Sequence, residues 1–132
     1  MASLKDLRGR INSASRILTD RERTAFFFVV VPEPMILLDT RKAAELFAKF
    51  DVPIGGYVVN RVLPAELARE ANVPAYLRHR MELQGEQLEE IRRTFGNEVL
   101  AYVPELERDV TGLPMIERLA GIMYAGVTLK TG

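Results

Sequence analysis

Two apolar runs constrain the fold of this chain more than any other feature. The first, residues 24–31, is rich in Phe and Val, shows no alternation of apolar and polar side chains, and ends at Pro32. The second covers residues 54–63 and is followed by Pro64. Continuous apolar strands are typical of parallel sheets that helices cover on both faces. The sequence therefore predicts two parallel strands, each buried on both faces.

Segments whose apolar residues have helical spacing lie before the first strand and between the two strands. Before residue 24, a helix is predicted by the apolar face that comprises Leu4, Leu7, Ile11, Ala14 and Leu18. Between residues 35 and 50, a second helix is predicted with an apolar face made of Leu38, Leu46, Phe47 and Phe50. A strand, a helix and a second strand in this order predict a βαβ unit.

The rest of the chain continues the alternation of strands and helices. Residues 64–74 are predicted to be a connection that holds a short helical turn, followed by a long helix that ends at Gly96 with Gln84 facing outward. The apolar stripe of that helix comprises Leu77, Met81, Leu88, Ile91 and Phe95. A third strand at residues 99–103 and a charged loop at 104–112 precede a last helix, which is predicted to fray into residues 126–132. The apolar residues assigned to that helix are Leu113, Ile116, Leu119, Ala120 and Met123. We thus expect one α/β domain over residues 1–132 with three parallel strands.

Composition excludes several functions. Eighteen basic and eighteen acidic residues balance, so no overall field attracts nucleic acid. The chain has no cysteine, so it can form neither a disulfide nor a thiolate zinc site, which suits a cytoplasmic protein. Its N-terminal residues are too polar for a secretory signal, and its longest apolar run is far shorter than the about 20 residues that span a bilayer.

Ligands of open parallel sheets bind beyond the carboxyl ends of the strands, where polar residues follow each predicted strand. Asn60 is the strongest candidate, because a carboxamide both donates and accepts hydrogen bonds, as the edge of adenine does. Spacing alone favours the alternative, in which Asn60 ends a strand and its side chain bonds to its own loop. Glu33, between two prolines ahead of a helix, also suits a carboxylate stabilised by the helix dipole.

Other conspicuous residues favour structural roles. His79 is the only histidine and has no Ser or Cys nearby in sequence to activate, so no catalytic residue and no metal site is predicted. The arginines of the long helix are expected to form a solvated face with partners such as Glu89. Gly55 and Gly56 open a strand, and are expected to serve backbone conformation or packing, not phosphate binding. No GxxxxGK[ST] motif occurs in the chain.

Taken in order and spacing, several short segments resemble the C-terminal part of the ArsA family of arsenite-pump ATPases, which is related to the ATPases that target tail-anchored membrane proteins. The segments are Pro32-Glu33-Pro34, Val59-Asn60-Arg61, residues 80–84 (RMELQ) and residues 103–112 (VPELERDVTG). The resemblance extends over about residues 4–124 and implies a piece of a P-loop NTPase-like sheet. It also implies that Asn60 contacts the adenine base of ATP and that Arg61 belongs to the nucleotide-binding residues. Glu33 is expected near the nucleotide or at a dimer interface, and a loop is expected to line the base pocket. The residues taken from that loop are Pro104, Glu105, Leu106 and Val110.

The same resemblance sets expectations for cofactors and partners. ATP would bind weakly, or only together with a P-loop-bearing segment, and magnesium would be needed only in the complete enzyme. Zinc is not expected, because Pro74 and Leu77 stand where the targeting relatives carry a Cys-x-x-Cys pair. Without the P-loop the chain alone should not hydrolyse ATP. The expected partner of the chain is either a second copy, with residues 26–31 or 58–62 near the contact, or a P-loop-bearing segment. In the full enzyme, a membrane pump or a membrane-protein client is expected as well. The alternative is a free-standing interaction module.

Overall fold

The computed structural model describes residues 3–125, in which three parallel strands form one sheet. The strands are β1 (Phe26–Val30), β2 (Ile54–Val62) and β3 (Val99–Pro104), and their order in the sheet is β1-β2-β3. β2 is therefore the central strand, and both of its edges are paired. The predicted three-stranded parallel α/β fold is confirmed. Val58 and Val59 pair with both neighbouring strands, so neither offers a free sheet edge to another chain, and the contact expected near residues 58–62 stays a prediction.

Between residues 3 and 125, four α-helices and two short 3-10 helices connect and flank the strands. The α-helices are α1 (Leu4–Leu18), α2 (Pro34–Lys49), α3 (Ala75–Phe95) and α4 (Gly112–Tyr124). The predicted turn between β2 and α3 is the 3-10 helix Ala65–Arg69, and a second one, Gly96–Glu98, precedes β3. Gly96 ends α3 with a φ of 47°, a left-handed value that favours glycine. The predicted fraying of residues 126–132 lies outside the described residues.

The core lies between one face of the sheet and the helices α2 and α3. Val30 and Val59 are fully buried there against Ile91 of α3. The ring of Tyr57 stacks between two others, with centroid distances of 5.6 Å to Phe28 and 4.0 Å to Phe95. This stack joins the first two strands to α3 and fixes the helix over the centre of the sheet.

The opposite face of the sheet is covered only in part. Phe27 and Val29 are 55% and 64% exposed, and Leu100 of β3 is 46% exposed. The prediction that the first strand is buried on both faces is therefore wrong, because α4 packs against β3 and leaves β1 uncovered on that side. The second strand follows the prediction more closely, since Tyr57, Val58 and Val59 are all buried.

The predicted apolar faces of α1 and α2 differ from those that the protein buries. In α2, Leu38 and Leu46 are exposed, whereas Leu37 and Thr40 are buried. The face of α2 that meets the sheet is thus rotated by about one residue, although Phe47, which belongs to the predicted face, does pack on Phe28 of the sheet. In α1 no residue is buried, so its apolar stripe has no partner among the described residues.

A register shift distinguishes the start of β2. Phe26 pairs with Ile54 and Phe27 with Gly56, so Gly55 is an extra residue in β2. Gly56 has a φ of 153°, and a Cβ atom there would lie 2.9 Å from the carbonyl oxygen of Glu98. Backbone conformation and close packing therefore require glycine at position 56, as the sequence predicted.

Candidate functional site

A cavity of about 430 Å³ opens at the carboxyl ends of β2 and β3. It is lined by the strand ends, by the β3–α4 loop and by Leu119 of α4. Six of the seven predicted site residues line it, namely Asn60, Arg61, Pro104, Glu105, Leu106 and Val110. The fold thus brings together residues that are more than forty positions apart in the sequence, and we call this space the base cavity.

Asn60 lies next to the last buried residues of the central strand. Its side chain is half-buried, and because strand residues alternate, it lies on the face opposite to the fully buried Val59. Among residues 3–125 no side-chain hydrogen bond of Asn60 is found within the described hydrogen-bond network. Within the described residues, the alternative in which the Asn60 side chain bonds to its own loop is therefore not what the structure shows.

Arg61 adopts a backbone conformation that is rare for a residue with a side chain. Its φ is 57°, in the left-handed region. The Arg61 guanidinium donates a hydrogen bond to Glu105 over 3.1 Å, and the Glu105 amide donates to the Val62 carbonyl over 2.9 Å. These contacts tie the end of β2 to the loop after β3, and so they fix one side of the base cavity.

A second, smaller cavity of about 170 Å³ lies beside the base cavity, and Glu33 lines it. Arg61 and Glu105 line both cavities, so their ion pair is a wall that the two spaces share. Glu33 is the residue before the first turn of α2, and its side chain makes no capping hydrogen bond. The structure therefore places Glu33 near the other predicted residues but outside the base cavity.

Gln84 is the residue that sequence reasoning misplaced. The sequence predicts an outward-facing side chain, but Gln84 is half-buried and its amide makes two hydrogen bonds with the backbone of Leu63. The Leu63 amide donates to Gln84 Oε1 over 2.9 Å, and Gln84 Nε2 donates to the Leu63 carbonyl over 3.4 Å. Its position was readable from spacing, because Met81, Gln84 and Leu88 continue the same helical stripe.

The charged residues elsewhere on α3 behave as the sequence predicted. Arg92 pairs with Glu89 over 3.4 Å, in an exposed i,i+3 contact. His79 is exposed and lies 3.9 Å from Glu82. Within the described part of the chain, no group of three or more His, Asp or Glu residues is placed to hold a metal ion. None of the helices in residues 3–125 is both long and apolar enough to cross a bilayer.

Comparison with known proteins identifies the family. The sequence profile of the anion-transporting ATPases, ArsA_ATPase, matches residues 1–125. The chain belongs to this family. It is 30% identical over 115 residues to a putative arsenical pump-driving ATPase 1 of Aquifex aeolicus, a match that covers 87% of this chain and 29% of that protein. The family and the fold predicted from the sequence are therefore both confirmed.

Two further relatives show the range of this anion-transporting ATPase family. ATPase GET3A of Arabidopsis thaliana is 26% identical over 117 residues, covering 89% of this chain and 32% of that protein. A putative arsenical pump-driving ATPase of Halobacterium salinarum is 26% identical over 125 residues, covering 95% of this chain and 19% of that protein. The chain thus spans about a third or less of the length of these family members.

Proposed function

We propose that this chain supplies the adenine-binding part of an ArsA-like ATPase and that it has no catalytic activity of its own. The observation that carries the proposal is the convergence of Asn60, Arg61 and the 104–110 loop around one cavity. The volume of about 430 Å³ lies within the range of ordinary small-molecule pockets, about 300–1,000 Å³. In this reading the base cavity receives the nucleobase.

The chemistry of the lining supports a purine amine over other groups. The Asn60 carboxamide offers one acceptor and two donors, which suit the exocyclic amine and the ring nitrogens of adenine. Pro104, Leu106 and Val110 provide apolar surface for the flat faces of a ring. Asn60 directly follows Val59, which pairs with both neighbouring strands, so it lies next to a part of the sheet that is fixed on both sides. This favours selective recognition over loose contact.

Phosphoryl transfer would depend on groups that this sequence does not contain. A P-loop provides backbone amides, a lysine and a magnesium-binding hydroxyl for the phosphates, and no such motif occurs in the 132 residues. In the complete ATPase, magnesium would act at that P-loop segment, and the residues described here would bind and orient the base. The work of that cytoplasmic enzyme, at an anion pump or at a membrane-protein client, follows only by analogy with the names of its relatives.

Titration of the 15N-labelled chain with ATP, followed by NMR chemical shifts, tests the proposal. Without phosphate contacts we expect a Kd no better than about 1 mM, with shifts at Asn60 and in the 104–110 loop. Replacing Asn60→Ala should raise the Kd for ATP at least about fivefold, which corresponds to the loss of one or two hydrogen bonds. GTP presents a different edge, so its weaker binding should change less.

Asn97→Ala is the matched control, because Asn97 is exposed and lies before β3, at the opposite end of the sheet. It should leave the ATP titration unchanged. Equal losses for ATP and GTP in Asn60→Ala, with an unchanged Tm, would show that Asn60 does not read the base. Magnesium-dependent ATP turnover by the purified chain would contradict the absence of catalysis.

A second candidate function, an interaction module, is favoured by two features of β1, its exposed apolar face and its unpaired edge. Phe27 and Val29 expose apolar surface, and the outer edge of β1 is unpaired within the described residues. An apolar edge without charge or proline invites another strand. Its partner would be a second copy or a P-loop-bearing segment, and the two readings are compatible, since the base cavity lies on the far side of the central strand from β1.

A further inference from the structure

We propose that Gln84 is a positioning residue that holds the end of β2, from Asn60 to Leu63, in the shape that the base cavity requires. The proposal deepens the function proposed above, and it rests on that function for the identity of the ligand. The sequence predicted that this side chain faces outward, with no role in the base pocket. The structure places it between α3 and the strand end that carries two of the site residues.

The contact between Gln84 and Leu63 has the form of a strand pairing. A side-chain amide presents an oxygen and an N–H group side by side, as a peptide unit does, and here it satisfies both the N–H and the C=O of one residue. Leu63 follows the last residue of β2, so its backbone groups would otherwise lack a ladder partner. Gln84 therefore extends the hydrogen bonding of the central strand by one residue, using α3 in place of a strand.

The strand end needs such support because its backbone is unusual. Arg61 has a φ of 57°, which a residue with a Cβ atom adopts only when its surroundings enforce it. The turn of the chain at Arg61 leaves Asn60 facing the base cavity and directs the Arg61 side chain to Glu105. Two contacts hold the chain just after this turn, the bonds of Gln84 to Leu63 and the bond of Glu105 to Val62.

The immediate neighbours of Gln84 on α3 would suit an apolar side chain. Gln84 belongs to a stripe whose neighbours Met81 and Leu88 are apolar, and all three line one groove. A methionine of similar length would fill this place without burying a polar amide. It would also leave the N–H and the C=O of Leu63 without their partner, so the two effects on stability oppose each other. The contribution of the Gln84 amide is therefore its pair of hydrogen bonds to the Leu63 backbone.

The experiment compares Gln84→Met with Gln87→Met in the 15N-labelled chain. Gln87 is also half-buried, lies one turn along α3 and lines the same small cavity, but it makes no side-chain hydrogen bond among those of the described residues. In Gln84→Met we expect the Leu63 amide proton to exchange with solvent at least about tenfold faster, and the Asn60 side-chain amide resonances to shift. Gln87→Met should change neither, and the Tm of both variants should stay close to that of the unchanged chain.

A functional readout follows from the same samples. Gln84→Met should raise the Kd for ATP at least about threefold at unchanged Tm, whereas Gln87→Met should not. Gln84→Glu keeps an acceptor for the Leu63 amide and loses the donor to its carbonyl, so its exchange rate should lie between those of the unchanged chain and Gln84→Met. Unchanged Leu63 exchange and Asn60 resonances in Gln84→Met would overturn the proposal.

The two proposals fail in different ways. If the unchanged chain shows no shifts with ATP at 20 mM, about twenty times the lower limit expected for the Kd, the proposed base pocket fails, whatever Gln84 does. If the unchanged chain binds ATP and Gln84→Met binds it equally well, the positioning role fails and the pocket stands. If Gln84→Met lowers the Tm strongly and Gln87→Met does not, Gln84 is a general stabilising residue and the proposal is overturned.

Discussion

Replacing Gly56 with alanine should destabilise the protein at the point that sets the register of the central strand. Gly56 has a φ of 153°, and conformations that are nearly exclusive to glycine cost about 1–3 kcal/mol for other residues. The new Cβ would also lie 2.8 Å from Leu100 Cγ and 2.9 Å from the Glu98 carbonyl oxygen. Leu100 is partly exposed and its side chain can turn away, but the carbonyl can move only if β2 and β3 separate.

Together these effects predict a loss of about 2–4 kcal/mol in the free energy of unfolding. Urea denaturation followed by far-UV circular dichroism measures this loss, since the chain has no tryptophan to report by fluorescence. Gly85→Ala is the matched control, because Gly85 lies within α3 and a methyl group at this position would meet no neighbouring atom within 4 Å. It should stabilise the protein by about 0.5–1 kcal/mol, the helical preference for alanine.

The opposite signs of the two substitutions make the test strict. A loss below about 1 kcal/mol for Gly56→Ala would refute the claim that close packing requires glycine there. A similar loss for Gly85→Ala would show that the measured effect is not specific to the strand. If the new methyl group shifts the register of β2, each residue of the strand moves to the other face of the sheet. The Asn60 resonances should therefore also shift in Gly56→Ala.

Two further predictions concern Tyr57 in the core and the exposed face of β1. Burial, and secondly the charge of Glu98, raise the pKa of Tyr57 above its usual 10.0. At high pH the folded protein therefore keeps the Tyr57 proton, whereas the unfolded chain releases it. The free energy of unfolding should consequently fall as the pH rises above about 10. Tyr57→Phe should reduce this fall in urea midpoints between pH 8 and 11, whereas the exposed Tyr76→Phe should not; an unchanged fall in Tyr57→Phe would assign it to other groups. Light scattering should show a dimer or larger oligomer, and Phe27→Lys should weaken it. The control is Phe50→Lys, which should not, because Phe50 has a similar exposure but lies at the end of α2. A strict monomer at high concentration would contradict this prediction.

The sequence predicted the elements well because their signals are local. Continuous apolar runs mark β1 and β2, and the spacing of Leu77, Ile91 and Phe95 marks the buried stripe of α3. Strand ends carry the site residues, so knowing where β2 and β3 end is enough to bring Asn60 and Glu105 to one edge. The base cavity was accordingly predictable in outline, although its role in binding adenine stays a prediction.

The errors concern which surfaces have partners, which local patterns do not encode. Phe27 and Val29 are apolar like the rest of β1, but only the packing of α4 against β3 determines that they are exposed. Gln84 was misplaced because its polarity outweighed its position in the stripe, although a polar residue there can bond to the backbone of a neighbouring strand end. The rotation of α2 follows from Leu37, whose place in the core depends on the strands beneath it.

The shared wall between the two cavities has a consequence for how they respond to each other. Arg61 is a single cation with a single set of donors, and Glu105 is its partner from either side. An anion that draws the Arg61 guanidinium into one cavity removes it from the other and leaves the Glu105 carboxylate without its counter-charge there. By linkage the effect would be mutual, so anionic groups in the two cavities would oppose each other's binding. The Arg61–Glu105 ion pair would then couple the two cavities.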